Sequence, residues 1–259
     1  MLFVHEGNLL SKVNSNYKGH GSKIHKFYLE QYLPVRATLL KMTFSEADKS
    51  TFTRAAKVIN NYYEQLDVFS HKYSIMSQSK FASTFLEEIS VYLFKDVPEI
   101  VSGEFGVFNK KIYAGLKIDQ NKQIGLITKD VDFCVGKKVN ISIDQQDPTE
   151  LILPVVAVEV KTYLDATMFG EIKSSSKAIR SASPNSKTYV LMGYKCIADE
   201  HIIAARQDST LTEMFVLRKN ENSPIDADAL YLYWQEIVSA IKDVSKEDSI
   251  IVPGKLLRG

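Results

Sequence analysis

Pro154-Val155-Val156-Ala157-Val158-Glu159-Val160-Lys161 is the stretch that decides how this chain is read. A run of apolar, largely β-branched residues of this length reads as a buried strand, and here it ends in two opposite charges. Side chains alternate along a strand, so Glu159 and Lys161 share one face. A charge at the end of a buried strand is costly unless it is paired or put to use. Asp132 stands directly before a second apolar segment, Phe133-Cys134-Val135, that can lie beside the first. Two carboxylates and one amine at a sheet edge can hold a hard cation and position a water, the minimal equipment for hydrolysing a phosphodiester.

The rest of the chain sets the frame. Its 259 residues suit one large domain, or a core with a helical addition. A hydrophobic content of 45% and a charged content of 24% are those of an ordinary globular protein. No apolar run approaches a membrane span, and Met1-Leu2-Phe3-Val4-His5-Glu6 lacks the basic and apolar regions of a secretory signal, so a cytoplasmic location is expected. Cys134 and Cys196 lie far apart in apolar contexts and read as buried free thiols. Neither joins a Cys/His cluster of zinc-site spacing. The net charge is only +1. That is low for a nucleic-acid binder, but local charge sets the field at a surface.

Residues 11–22 have loop-like chemistry. A first helix is expected over about 23–33, stopped by Pro34. Ser45 reads as the N-cap of a second helix running to about residue 70, and 78–95 as a third. Gly103, Gly106 and Gly115 punctuate short aromatic and β-branched runs, which suggests a hairpin. Residues 126–135 and 139–143 read as strands around a turn at Gly136-Lys137-Lys138. The polar stretch 144–150 leads into the strand 151–161. A helix over 165–182, strands at 188–194 and 214–218, and a last helix over 227–243 capped by Asp226 complete the order. The fold class is α/β, a mixed central sheet flanked by helices. Residues 1–75 form a helical, basic addition and 76–259 the core.

Glu-x-Lys alone is a weak signal. The second copy, Glu171-Ile172-Lys173, sits on an amphipathic helix and reads as surface. Asp132 has a rival in Asp130, on the same strand face. Glu88 is a further carboxylate candidate. It shares a helix side with Phe81, Phe85 and Tyr92, where it needs a cation or donors, or else it is a snorkelling edge residue beside Glu87.

Asp132 followed by Glu159-Val160-Lys161 on the next long strand resembles the PD-(D/E)XK nuclease signature. The segments Lys129–Phe133, Leu153–Leu164, Phe215–Arg218, Phe85–Phe94 and Gly254–Leu256 are similar to type II restriction endonucleases of the BbvCI-like family. The generic signature's proline is absent, since Val131 precedes Asp132. The resemblance implies a restriction-endonuclease-like core in a bacterial, Mg²⁺-dependent enzyme that cuts double-stranded DNA at a short site with a CTNAG-like element and leaves 5′-phosphate and 3′-hydroxyl ends. It implies Asp132, Glu159 and the Val160 carbonyl as ligands of one or two Mg²⁺ ions, Lys161 as base or charge clamp, and Glu88 as a second-ion or water ligand. It also implies a homodimer, or a heterodimer with a related subunit, and a cognate DNA methyltransferase.

For DNA contacts, Lys173, Lys177 and Arg180 recur at near-helical spacing and suit the phosphate backbone. Arg218 and Lys219, just past a strand, suit guanine edges in the major groove. Lys18, Lys23 and Lys26, in the basic Tyr17–Lys26 segment, suit a minor groove. The same fold also serves repair or junction nucleases and non-catalytic DNA-binding proteins.

Overall fold

The computed structural model describes residues 3–76, 79–81, 83–142, 147–208 and 210–246. The Gly254–Leu256 segment singled out above lies outside them. The N-terminal layer is helical: α1 (Val4–Asn14), α2 (Gly21–Phe27), a π-helical turn over Tyr28–Tyr32, α3 (Leu33–Lys41) and α4 (Lys49–Lys72). Then follow α5 (Ser83–Phe94), the short α6 (Pro98–Val101), β1 (Gly106–Phe108), β2 (Ile112–Ile118), β3 (Ile124–Lys129), β4 (Phe133–Ile141) and β5 (Thr149–Leu164). The chain continues through α7 (Ala166–Ala182), β6 (Lys187–Lys195), α8 (Asp199–Asp208), β7 (Glu213–Val216) and α9 (Ala227–Lys246).

Five strands make one mixed sheet in the order β1-β4-β5-β6-β7, and β2 and β3 pair apart from it as a ribbon. Central β5 runs antiparallel to β4 and parallel to β6. It is paired on both edges and covered on both faces, and the covering of both faces is why its sequence reads as a nearly continuous apolar run. Val156, Val158 and Val160 join Tyr189 and Leu191 in a core shared with α1, α4, α5 and α9. On the opposite face, Val190 and Met192 pack with Phe169 and Ile172 of α7, while Ala157 packs with Cys134 and Ile179. The N-terminal helices share their core with the sheet's helices. Asn60 of α4 also pairs with both backbone groups of Ile225, accepting at 2.7 Å and donating at 3.0 Å.

Several local expectations are corrected. Residues 11–14 complete α1, and the chain then turns through left-handed Asn16 and Lys18. Pro34 does not stop a helix; residues 21–41 are helical throughout, and Pro34 directly follows the π-helical turn Tyr28–Tyr32, a local widening of the helix at the point where a proline would break the regular bonding. Asp48, not Ser45, caps α4 by accepting the Thr51 N–H at 3.3 Å. The third helix begins at Ser83 rather than 78. Cys134 is buried but Cys196 is exposed. Helix α8, absent from the sequence reading, fills the β6–β7 connection. Gly136-Lys137-Lys138 is no turn either. Strand β4 runs straight through it, with a register shift against β5 between Val135 and Gly136. A Cβ on Gly136 would stand 2.3 Å from the Leu153 carbonyl oxygen, so the glycine is there for close strand approach. Gly136→Ala is expected to destabilise the protein by about 1–3 kcal/mol through forced backbone displacement, read as a lower urea midpoint.

Candidate active site

The β4–β5 ladder ends at Phe133↔Val158. One residue further, the strands part, and the Asp132 side chain enters the gap. Its Oδ2 accepts the Val160 N–H at 2.7 Å. The N–H and C=O of one strand residue leave from the same edge, so the Val160 carbonyl also faces this side. Glu159 and Lys161 project from the opposite face to the core-facing Val160 side chain. Lys161 Nζ lies 3.5 Å from Asp132 Oδ2 and 3.3 Å from Glu159 Oε2. Asp132, Glu159 and Lys161 thus converge as the sequence predicts.

The electrostatics follow from burial and like charge. Burial raises the Glu159 carboxyl's affinity for a proton, and the neighbouring Asp132 carboxylate raises it further. Burial works against the Lys161 ammonium, but Asp132 and Glu159 together outweigh it and hold the pKa above the ordinary lysine value. With both carboxylates ionised beside it, Lys161 is a cation at neutral pH.

Glu88 is elsewhere. Its side chain is fully buried on the α1 side of α5. Oε2 accepts the N–H groups of His5 at 2.8 Å and Glu6 at 3.3 Å, and Oε1 accepts the Tyr32 hydroxyl at 2.8 Å and the Tyr92 hydroxyl. The carboxylate caps the first turn of α1 from a neighbouring helix, satisfying amides that a helix start leaves orphaned. His5 completes this hub through Thr84 at 2.9 Å and Tyr62 at 2.7 Å. Burial, and secondarily Lys12, lowers its pKa to about 3, so the ring is neutral.

The carboxylate that does reach the site is Glu87. One residue round the helix, it lines a cleft of ≈ 470 Å³ together with Asp132 and Glu159. Burial, then repulsion from Asp132, pushes it up to about 7. The choice between Glu87 and Glu88 depends on which flank of α5 meets α1, and α1 itself was read partly as loop. Asp130 also lines the cleft, but its Oδ1 accepts the Lys111 N–H at 3.1 Å and shapes the loop before β2. Asp132, not Asp130, meets Glu159 and Lys161. Sequence reasoning also missed Lys80 and Lys110, which line the cleft on left-handed backbones with φ of 57° and 63°. Such conformations are uncommon outside glycine, and Lys110 is held in place by its N–H bond to the Val131 carbonyl, 2.8 Å.

None of the basic residues assigned to DNA from sequence lines this cleft. Lys18 donates to the Ser74 carbonyl, Lys23 sits over the Tyr73 ring, and Lys26 pairs with Glu30. Lys173 lies over Phe169 on α7; Lys177 is exposed and Arg180 half-buried on the same helix. The Arg218 guanidinium packs 4.3 Å from the centre of the buried Tyr63 ring, joining the end of β7 to α4, while Lys219 is exposed.

Hard oxygen donors at Asp132, Glu159 and the Val160 carbonyl fit Mg²⁺, which takes one or two carboxylates and keeps several waters. Among the described residues no group of three or more His, Cys, Asp or Glu side chains is gathered for a metal ion. The unfavourable pairing of Glu159 with Asp132 is the deficit a cation would relieve.

A mixed sheet flanked by helices, with Glu159 and Lys161 toward the end of its central strand and Asp132 beside them just before β4, fits a protein of the restriction-endonuclease type. The Bpu10I restriction endonuclease family matches residues 78–239, and the chain belongs to that family. The solved structure of the native BbvCI A2B2 tetramer shares the fold, with a TM-score of 0.69 at 16% identity over 92% of this chain and 95% of that one. No curated protein matches the chain. Among the described residues no helix is long and apolar enough to cross a membrane.

Two predictions separate the adjacent glutamates. Glu88→Ala orphans two amides and two hydroxyls and should cost about 3 kcal/mol of stability by urea unfolding, whereas Glu87→Ala should leave stability near wild type and impair DNA cleavage. The folded-state pKa of Glu87 is raised from 4.5 to about 7. The folded chain therefore binds that proton more tightly than the unfolded chain, and this stabilisation is complete below about pH 4.5 and lost as pH rises through about 7. The melting temperature of metal-free protein should accordingly fall from about pH 5 to 8 more steeply than that of Glu87→Gln.

Proposed function

We propose that this restriction-endonuclease family member is a Mg²⁺-dependent type II enzyme of the PD-(D/E)XK class. It hydrolyses both strands of duplex DNA at a short specific site, with a CTNAG-like element, and leaves 5′-phosphate and 3′-hydroxyl ends. The observation that carries this reading is the convergence of Asp132, Glu159 and Lys161 where β4 and β5 part. The substrate for such a site must bring negative charge to a cation and an ammonium. It must also have a bond that breaks by attack of water on phosphorus with departure of the 3′ oxygen.

Asp132, Glu159 and the Val160 carbonyl would hold Mg²⁺, with one or two ions at the site. When bound, the metal supplies positive charge against the phosphate and lowers the pKa of a nearby water. Lys161 is held as an ammonium by its two carboxylate neighbours and stabilises the charge that grows on the non-bridging oxygens. Glu87, with its pKa near 7, is placed across the cleft to orient the attacking water or accept its proton. Lys80 and Lys110 suit the flanking phosphates. Cutting both strands needs two such sites, so the enzyme works as a homodimer or with a related subunit; BbvCI, which shares the fold, is an A2B2 tetramer. A cognate DNA methyltransferase would protect the host's own sites.

Digestion of a large sequenced DNA in Mg²⁺, in EDTA and with Lys161→Ala tests the reading. Discrete bands that vanish in EDTA and fall about 100- to 1,000-fold in rate with Lys161→Ala are expected, by analogy with loss of one charge-stabilising donor. Nicks alone would point to a missing partner subunit. Tight duplex binding with no cutting under any condition would overturn catalysis and leave a DNA-binding protein.

A further inference from the structure

Strands β2 and β3 are inserted between β1 and β4, which pair with each other in the main sheet. Both ends of the inserted ribbon are walls of the active-site cleft: Lys110 precedes β2, and Asp130 and Asp132 follow β3. At its base the ribbon is anchored, with Ile112 and Ala114 buried against Cys134, Ala157 and Ile179. A bulge between Tyr113 and Gly115, where Gly115 takes a φ of 136°, marks where it leaves that support. Beyond it β2 is exposed, Leu116 by 55% and Ile118 by 75%, while the paired β3 residues Ile124 to Leu126 are half-buried.

The tip is nonetheless shaped. Asp119 Oδ1 accepts the N–H groups of Asn121 at 2.8 Å and Gln123 at 2.9 Å, and the Asp119 N–H bonds the Gln123 carbonyl at 2.9 Å. The turn is thus closed by one aspartate, and Gln120, Asn121 and Lys122 are exposed at its end. Residues 109–130 carry five lysines and two aspartates, a net +3 in a chain whose total is +1. The ribbon is a positively charged projection, and it starts beside Asp132 of the cleft.

We infer that the β2–β3 ribbon enters the DNA major groove beside the scissile phosphate and that Gln120, Asn121 and Lys122 at its tip read base edges. The inference rests on the nuclease reading and adds to it the element that selects the sequence. The dimensions agree. The three pairs from Leu116 to Ile118 extend about 10 Å at roughly 3.3 Å per residue, and the major groove is about 8.5 Å deep and admits a two-stranded ribbon. Amide and ammonium side chains are the types that bond adenine and guanine edges, and exposed aliphatic side chains such as Ile118 suit thymine methyls. The lysines along the ribbon meet the phosphates on either side of the groove.

The test digests a randomised duplex library with wild type, with the triple variant Gln120→Ala/Asn121→Ala/Lys122→Ala and, separately, with Lys117→Ala. Cut ends are sequenced, and melting temperature and oligomeric state are measured for each protein. The triple variant is expected to keep its fold and lose about tenfold or more in discrimination at one or more positions of the site. Lys117→Ala is expected to weaken cutting uniformly across sequences, with a shallower salt dependence. An unchanged consensus at unchanged rate in the triple variant would overturn the inference while the nuclease stands. A changed oligomeric state with unchanged base preference would also overturn it and make the ribbon a protein interface. A wild-type protein that cuts nothing would remove the nuclease reading and the inference together.

Discussion

Past Phe133↔Val158, β5 keeps its parallel partner on one edge and loses its antiparallel partner on the other. A backbone N–H left there must find an acceptor, and the Asp132 carboxylate supplies it at 2.7 Å. This single bond fixes the geometry of the Asp132, Glu159 and Lys161 cluster. It places a carboxylate level with Glu159 and Lys161, whose common face is dictated by strand alternation. It also turns the edge that carries the Val160 carbonyl toward the same space. The core beneath, with Val158 and Val160 packed against α5 and α9, prevents β5 from yielding when charges of like sign are held together at its end.

Helix α5 makes the second constraint, because its two flanks do different work. Glu88 nails α1 to the core by accepting its first amides, and Glu87 faces the cleft. The placement of the latter depends on the former. Without a satisfied Glu88, the first turn of α1 and the hydroxyls of Tyr32 and Tyr92 would be buried and unpaired, a far larger loss than one surface ion pair. Val4 and Asn8 of α1 also line the cleft, so the helical N-terminal layer is part of the site's wall.

What the sequence made legible follows from the range of the forces involved. Strand β5 is written as one contiguous apolar run ending in Glu-x-Lys, and the helix Ala166–Ala182 as one contiguous amphipathic stretch. Those features are local. Gly136 was read as a turn because glycine flanked by two lysines is the usual chemistry of turns; that Leu153's carbonyl lies against it is a fact about another strand. Glu88 was correctly placed among Phe81, Phe85 and Tyr92, but what lay opposite was the start of α1, 83 residues away. The ring of Tyr63 beneath the Arg218 guanidinium belongs to α4, far away in the sequence, so that contact is not legible from the strand end alone.

The charge balance of the cleft bears on how a chain of net charge +1 handles a polyanion. Glu87, Asp130, Asp132 and Glu159 face the ammoniums of Lys80, Lys110 and Lys161 in and beside one cleft. When all are ionised, carboxylates exceed ammoniums by one, and a phosphodiester brought there meets a repulsive centre. Protonation of the two raised glutamates relieves the excess in the empty protein, but it also removes ligands. A divalent cation at Asp132 and Glu159 does better, because it reverses the sign of the site and favours the ionised carboxylates that bind it. On the proposed nuclease reading the carboxylate-rich cleft would act as a gate on chemistry, while attraction of DNA would fall to lysines set back from it, those of the ribbon between β2 and β3 among them. Affinity and reaction would thereby be drawn from different charges of the same surface, an arrangement by which a chain of net charge +1 could remain near neutral and still concentrate a polyanion at the edge that carries Asp132, Glu159 and Lys161.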